Sequence, residues 1–251
     1  MTYLSLIRPH GLKDSFTAQQ SAIEWRNPHL VFIDQPAIPR DDHRHLFSHR
    51  LSSPQALNFL AHFHLARPTD PSRVGALLAD FVRGTQNSLL ERYPADLVEG
   101  IMLHRTIDSF TDRHPVFLEC KAYLAPERRR FAGIIIDVFF DHFLTQQWQE
   151  FSTQPLPAFI SETYGILDRN HQWLTPDLQS NLPRMKSENW LDSYGTLEGL
   201  ALTFRRISRR RDFLAPLVGS EEDLISNYSS FEQGFGSFYP ELIEHTRSYH
   251  P

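Results

Sequence analysis

The sequence is poor in the features that mark secreted and membrane proteins. Its 251 residues include one cysteine, Cys120, so no intrachain disulfide is available and a reducing compartment is expected. No apolar run reaches the roughly 20 residues that cross a bilayer. The amino-terminal residues also lack the basic and apolar segments of a secretory signal. We therefore expect a cytoplasmic protein that does not enter the membrane.

Lysine is also scarce, because only Lys13, Lys121 and Lys186 are lysines among 25 basic residues and the remainder are arginines. The planar guanidinium fork of arginine suits carboxylates and phosphates. An ordinary surface that uses arginine in place of lysine is the simpler interpretation of any single one. The net charge of −5 gives no overall attraction to nucleic acid or membrane, and we expect neither as a partner.

No segment shows the β-branched alternation of a strand. Residues 1–56 carry scattered prolines and no sustained helical period, whereas apolar-periodic segments begin at Leu57. We predict an all-α fold, with a single helical bundle over 57–251 and an irregular extension over 1–56. The predicted helices cover 58–66, 72–83, 94–111, 115–123, 126–149, 156–170, 176–183, 194–208 and 221–245.

Helix punctuation supports these assignments. A helix is predicted to begin at each of Pro94, Pro115, Pro126 and Pro176, since the missing N–H is harmless in the first turn. Ser220, followed by three acids, is predicted to cap the last helix.

The segment 126–149 carries acids within a helix that is apolar all round and therefore predicted to be buried. Asp137 and Asp141 lie four residues apart on one face, with His142 beside them, and the near helical neighbours of Asp137 include no cation. Such carboxyls must be protonated, paired from another helix or bound to a metal ion. A buried ion pair or the capping of a neighbouring helix remains an alternative to a metal.

The segment 94–111 carries a second polar pair. His104 and Asp108 continue the inward stripe that Leu97 and Ile101 begin, and they share one face at a spacing of four. An imidazole nitrogen with a carboxylate suits manganese, iron or zinc better than calcium. An ordinary hydrogen-bonded pair is the alternative.

Two further segments add candidates. Asp80 lies beside the apolar stripe of 72–83, where a surface pair with Arg83 is the alternative. His62 and His64 point about 200° apart on a helix, so only one would reach a given site. Ligands that converge from several helices of a bundle predict a divalent ion and phosphate-ester chemistry.

These same residues carry a resemblance to the acyl carrier protein phosphodiesterase family. Its members open with a segment similar to residues 57–66, LNFLAHFHLA, and the resemblance covers about residues 57–245. The other motifs are LLADFVRG at 77–84, HRTID at 104–108, DVFFDHFL at 137–144 and FYP at 238–240.

The resemblance implies hydrolysis of the phosphodiester between 4'-phosphopantetheine and a serine of holo acyl carrier protein. It implies an all-helical variant of the HD phosphohydrolases and a divalent metal, typically Mn²⁺, with Fe²⁺, Mg²⁺ and Co²⁺ as alternatives. The chain departs from the HD pattern, since the contiguous pair is reversed at 141–142. We assign the metal ligands and the acid–base candidates as follows: Asp80, His104, Asp108, Asp137 and Asp141 as ligands, and His142, Asp141 and His62 for proton transfer.

Acyl carrier proteins are acidic, so their hydrolase needs basic docking residues. We predict docking through Arg128, Arg129, Arg130, Arg209, Arg210 and Arg211, with solvated surface arginine as the alternative. Arg83 and Arg105, adjacent to predicted ligands, are candidates to hold the phosphate.

Two other functions fit the same residues. One is a metal phosphohydrolase that acts on a small phosphoester such as a nucleotide. The other is a helical adaptor for acidic partners, without metal or catalysis. The opening motif aligns with Leu57, so we expect residues 1–56 to be poorly ordered or to lie upstream of the natural start.

Overall fold

The computed structural model describes residues 59–249, and every regular element in that range is a helix, which confirms the all-α prediction. The predicted extension 1–56 lies outside the described residues. The α-helices are α1 (Leu60–Leu65), α2 (Asp70–Leu78), α3 (Gln86–Leu90), α4 (Ala95–Thr111), α5 (Pro115–Ala122), α6 (Ala132–Gln146), α7 (Trp148–Phe151), α8 (Leu156–Arg169), α9 (Pro176–Ser187), α10 (Trp190–Ser193), α11 (Leu197–Ser208), α12 (Glu221–Ser226) and α13 (Tyr228–Arg247). Short 3₁₀ helices cover Arg129–Phe131, His171–Trp173 and Asp212–Leu217.

Several helices begin where proline or threonine predicts a start. Pro115 and Pro176 are the first residues of α5 and α9, and Thr175 accepts a hydrogen bond from the Leu178 N–H. Pro94 lies one residue before α4, as its N-cap. Pro126 begins no helix, so that prediction is wrong.

The observed helix α6 is shorter at both ends than the predicted helix 126–149. The Arg128 guanidinium donates to the carbonyls of Pro216 and Val218 and pairs with Asp223, which holds the segment before α6 in tight turns. At the other end, a break at Gln147 separates α6 from α7. The predicted 72–83 likewise ends at Leu78, and a turn follows that contains Asp80.

The predicted helix 221–245 is two helices, because the backbone of Asn227 leaves the helical region and its side chain donates to the carbonyls of Tyr123 and Asp223. Ser220 does not cap α12. Its backbone is already helical and its buried hydroxyl has no hydrogen-bond partner among the described residues. The Asp223 carboxylate is used instead by Arg128 and by the Ala125 N–H.

Helix α6 is buried, as its all-round apolar sequence predicts. Phe139 and Phe143 are fully enclosed. They pack against Phe231 and Phe235 of α13, with ring centroids 5.0 Å and 5.9 Å apart respectively. Asp141 of α6 is therefore enclosed in the core, whereas Asp137 is half-buried. None of the helices described is long and apolar enough to cross a membrane.

Helices α2 and α4 approach at two glycines. A Cβ on Gly75 would lie 2.3 Å from the Leu97 carbonyl oxygen, and one on Gly100 would lie 2.6 Å from the Ser72 carbonyl oxygen. Both obstacles are backbone atoms, which cannot rotate away. The close contact therefore requires glycine at both positions.

Gly100→Ala should lower the free energy of unfolding by about 1–3 kcal/mol, because the new methyl group forces α2 and α4 apart. Denaturant unfolding measures the change. Gly236→Ala is the matched control, since Gly236 is exposed on α13 and its Cβ would meet nothing within 4 Å. The control should leave stability unchanged or raise it by about 0.5–1 kcal/mol. Equal effects of the two substitutions would contradict the steric argument.

Candidate metal centre

His104 anchors a polar cluster between α2 and α4. Its side chain is buried, and its Nδ1 lies 2.7 Å from the Ala76 carbonyl oxygen of α2. Because a carbonyl only accepts hydrogen bonds, Nδ1 carries the proton. The other nitrogen, Nε2, faces two carboxylates. A ring held in this way by a backbone carbonyl is typical of histidines that bind metal through the opposite nitrogen.

The His104 Nε2 atom lies 3.4 Å from an oxygen of Asp80 and 3.5 Å from an oxygen of Asp108. The second oxygen of Asp108 lies 3.5 Å from Nε2 of His62, which comes from α1. The two imidazole rings are stacked, with centroids 3.7 Å apart. One ligand atom from each of His62, His104 and Asp108 can be chosen so that all three lie within 4.8 Å of one another.

These separations fit a shared ion better than direct hydrogen bonds. N–H···O bonds span about 2.7–3.2 Å, shorter than the distances between nitrogen and oxygen in the cluster. Ligand bonds of about 2 Å place neighbouring ligand atoms of one ion roughly 3–3.5 Å apart. The cluster can therefore hold a divalent metal ion.

The electrostatics of the two imidazoles are opposite. Burial, together with the neighbouring His104, lowers the pKa of His62 to about 4. Burial also lowers the pKa of His104, but the carboxylates of Asp108 and Asp80 outweigh it and raise that pKa well above its ordinary value. A neutral His62 offers its nitrogen readily, whereas a metal ion must displace the proton that the acids favour on His104.

Asp137 lies near the same acids. Burial, followed by the charges of Asp108 and Asp112, raises the pKa of the Asp137 carboxyl well above its ordinary value. No side-chain hydrogen bond or ion pair of Asp137 is found within residues 59–249. A cation placed beside Asp137 would stabilise the charged form of its carboxyl.

Two buried polar atoms of the cluster have no hydrogen-bond partner in the part of the chain described. They are one oxygen of Asp80 and Nδ1 of His62. Buried polar atoms are normally satisfied, so an unpaired oxygen beside a cluster of ligands fits a metal site. The donor set of imidazole and carboxylate also suits manganese, iron or zinc.

Asp141 lies four residues after Asp137 on α6, but its carboxylate has different partners. Its two oxygens accept the backbone N–H groups of Leu60 and Ala61 at 3.0 Å and 2.8 Å. The capping of a neighbouring helix, left open from the sequence, is therefore what the geometry favours for Asp141. Its assignment as a metal ligand stays a prediction without a contact to support it.

His142 is engaged away from the cluster. Its Nδ1 donates to the Tyr194 carbonyl at 2.8 Å, and its Nε2 lies 3.2 Å from the Tyr228 hydroxyl. Both ring nitrogens therefore have partners that anchor the core. A role for His142 in proton transfer stays a prediction.

The two predicted phosphate-binding arginines occupy different environments. Arg105 donates to the carbonyls of Val82 and Gly84 at 3.2 Å and 2.8 Å, and Arg92 donates to the carbonyl of Arg83 at 2.8 Å. Three successive carbonyls are thus fixed just after Asp80. The side chain of Arg83 is exposed on this clamped segment.

The predicted docking arginines also differ in their contacts and exposure. Arg128 donates to backbone carbonyls and pairs with Asp223, Arg129 donates to backbone carbonyls, and Arg130 stacks on the Phe131 ring. Arg209 and Arg211 are exposed.

Arg210, between Arg209 and Arg211, lies nearer the centre. Burial lowers its pKa and the charge of Asp80 opposes that shift, so its guanidinium lies close enough to Asp80 to interact with it. Sequence reasoning missed this inward position because three consecutive arginines look alike.

Sequence reasoning also placed His62 outside the ligand set. The structure turns His62 towards Asp108, whereas His64 contacts the Tyr239 hydroxyl at 2.7 Å. The signal available was the angular separation of the two side chains on one helix. Only the packing of α1 could decide which of them faced the acids.

Fold and site together define an all-helical protein with a buried histidine–aspartate cluster suited to a divalent ion. Residues 57–242 match the acyl carrier protein phosphodiesterase family, and the chain belongs to that family. No solved structure matches the chain, so the relation to HD phosphohydrolases stays a prediction.

Relatives named acyl carrier protein phosphodiesterase match over nearly their whole length. The protein of Yersinia enterocolitica is 40% identical over 190 residues, which cover 74% of this chain and 96% of the relative. That of Serratia proteamaculans is 39% identical over 193 residues, covering 76% and 98%. That of Photorhabdus laumondii is 37% identical over 190 residues, covering 75% and 94%.

His62→Ala should weaken Mn²⁺ binding by about 10-fold or more, because it removes a nitrogen of the cluster. Titration calorimetry on the purified protein measures the affinity. His64→Ala is the matched control on the same helix, and it should leave Mn²⁺ affinity unchanged because His64 faces Tyr239. Equal losses in the two variants would show that α1 as a whole, rather than the His62 imidazole, matters.

Proposed function

We propose that this chain hydrolyses the phosphodiester between 4'-phosphopantetheine and the serine of holo acyl carrier protein. The products are apo carrier protein and 4'-phosphopantetheine. Membership of the family and relatives of the same name support this activity. The observation that carries the chemistry is the spacing of 3.4–3.5 Å among nitrogens and oxygens of His62, His104, Asp80 and Asp108.

The proposed cofactor is Mn²⁺, with Fe²⁺, Mg²⁺ and Co²⁺ as alternatives. His62, His104 and Asp108 would hold the ion, with Asp80 and Asp137 beside them. When bound, such an ion activates water and neutralises charge on phosphate. Without it, Asp137 favours its protonated form, so ion binding and loss of that proton are coupled.

The phosphate is proposed to meet arginine at the edge of the cluster. Arg83 stands on the segment whose carbonyls Arg92 and Arg105 hold, three residues after Asp80. A guanidinium can bind two phosphate oxygens at once. Arg105 then acts by keeping that segment in place, and the inward Arg210 adds positive charge beside Asp80.

Holo acyl carrier protein should lose the mass of phosphopantetheine when incubated with the purified chain and Mn²⁺. Mass spectrometry of the carrier protein detects the change. A chelator should stop the reaction, and so should His104→Ala, since its Nε2 faces two of the acids. Hydrolysis of nucleotides with the carrier protein left intact would contradict the proposal and favour the small-phosphoester alternative.

The carrier protein is proposed to dock on a basic surface that both arginine runs share. Hydrogen bonds from Arg128 to the carbonyls of Pro216 and Val218 bring the start of α6 against the segment that follows Arg211. Arg130, Arg209 and Arg211 are exposed there. An acidic partner would be steered to this surface by charge.

Reversing two of these charges, Arg209→Glu with Arg211→Glu, should raise KM for holo carrier protein severalfold and leave kcat nearly unchanged, because rim charges act on association. Steady-state kinetics at low and high salt measures both. Arg184→Glu, at an exposed position of α9, is a control for charge reversal elsewhere and should alter KM little. A fall in kcat with KM unchanged would contradict a docking role.

A further inference from the structure

Asp141 has a place in the fold that a ligand role does not explain. It is completely buried in α6. One oxygen accepts the Leu60 N–H at 3.0 Å and the other accepts the Ala61 N–H at 2.8 Å. Leu60 and Ala61 are the first two residues of α1, and His62 is the third.

Helix α1 depends on support from outside itself. It has six residues, and its N-cap, Phe59, offers no side-chain acceptor. The first N–H groups of a helix have no partner within it, and a helix this short is not stable alone. The Asp141 carboxylate supplies two acceptors from a helix about 80 residues away in sequence.

Fixing this end of α1 also fixes His62. A short helix held at both of its first N–H groups cannot rotate about its axis without breaking them. A rotation of about 100°, one residue, would take His62 Nε2 away from Asp108, from which it stands 3.5 Å. The stacking of His62 on His104 at 3.7 Å would be lost as well.

We propose that Asp141 is a positioning residue that holds His62 in the metal cluster through the backbone of α1, and that it is not itself a ligand. This inference rests on the metal centre of the proposed function. Outer hydrogen bonds of this kind orient metal ligands, and their removal commonly costs 10- to 100-fold in metal affinity.

Asp141→Asn is the first test. An amide has one acceptor where the carboxylate has two, so its NH₂ group faces an N–H of α1 and repels it. Mn²⁺ affinity, measured by titration calorimetry below the unfolding temperature of each protein, should fall about 10- to 100-fold. Asp223→Asn is the matched control: Asp223 is also a largely buried acid that accepts a backbone N–H, and its loss should lower Tm without changing Mn²⁺ affinity.

A double-mutant cycle with His62→Ala separates positioning from ligation. If Asp141 acts through His62, Asp141→Asn should weaken binding little further once His62 is alanine. If Asp141 binds the ion directly, the full loss should recur in the His62→Ala background, and the inference is overturned. It is also overturned if Asp141→Asn lowers Tm and leaves Mn²⁺ affinity intact.

A second variant leaves Asp141 in place. Ala61→Pro removes one of the two N–H groups that Asp141 accepts. Position 61 is the second residue of α1, and proline already occupies the second position of α2 (Pro71) and of α8 (Pro157). It should weaken Mn²⁺ binding in the same direction, and unchanged affinity would count against the inference. The readout is metal binding, so the two proposals fail separately. A chain that shows the expected coupling of Asp141 to His62 but hydrolyses no carrier protein would refute only the phosphodiesterase activity. Mn²⁺ binding that does not respond to changes at Asp141 would refute only the positioning role.

Discussion

The contact between α2 and α4 at Gly75 and Gly100 is the constraint on which the rest of the site depends. There the two backbones meet with no side chain between them. At that separation the Ala76 carbonyl reaches Nδ1 of His104, which sets the proton on that nitrogen and leaves Nε2 towards the acids. The same approach brings Asp80, in the turn after α2, to 3.4 Å from His104. A wider spacing of α2 and α4 would break both of these contacts of His104.

The cluster brings several carboxylates together where burial disfavours their charged forms. Asp80, Asp108 and Asp137 come from three separate parts of the chain. Burial first, and then the charges of Asp108 and other nearby acids, raise the pKa of Asp137. Arg210 offsets part of this charge at Asp80. An arrangement of this kind costs stability when empty and is explained by what it binds. Proteins commonly keep such local conflicts at functional sites.

Polar side chains from distant helices hold the elements around the cluster. Asp141 accepts hydrogen bonds from the first N–H groups of α1. Arg105 donates to backbone carbonyls just after Asp80, and Arg128 donates to a carbonyl of the segment after Arg211. In each case a buried or half-buried charge satisfies backbone groups that no regular helix would satisfy. Two residues of the cluster, His62 on the six-residue α1 and Asp80 in the turn after α2, therefore stand on elements that are fixed from outside.

The sequence by itself determined the helical class and the courses of α4 and α8, because their apolar periods and prolines act within one helix. It also determined that His104 and Asp108 share a face, since a spacing of four is a local property. It could not separate Asp137 from Asp141, which have the same spacing and the same apolar neighbours. That choice, like those between His62 and His64 and between Arg210 and its two neighbours, depends on which element packs opposite each side chain. The packing of the helices settles it, because the partners lie between 28 and 175 residues away along the chain.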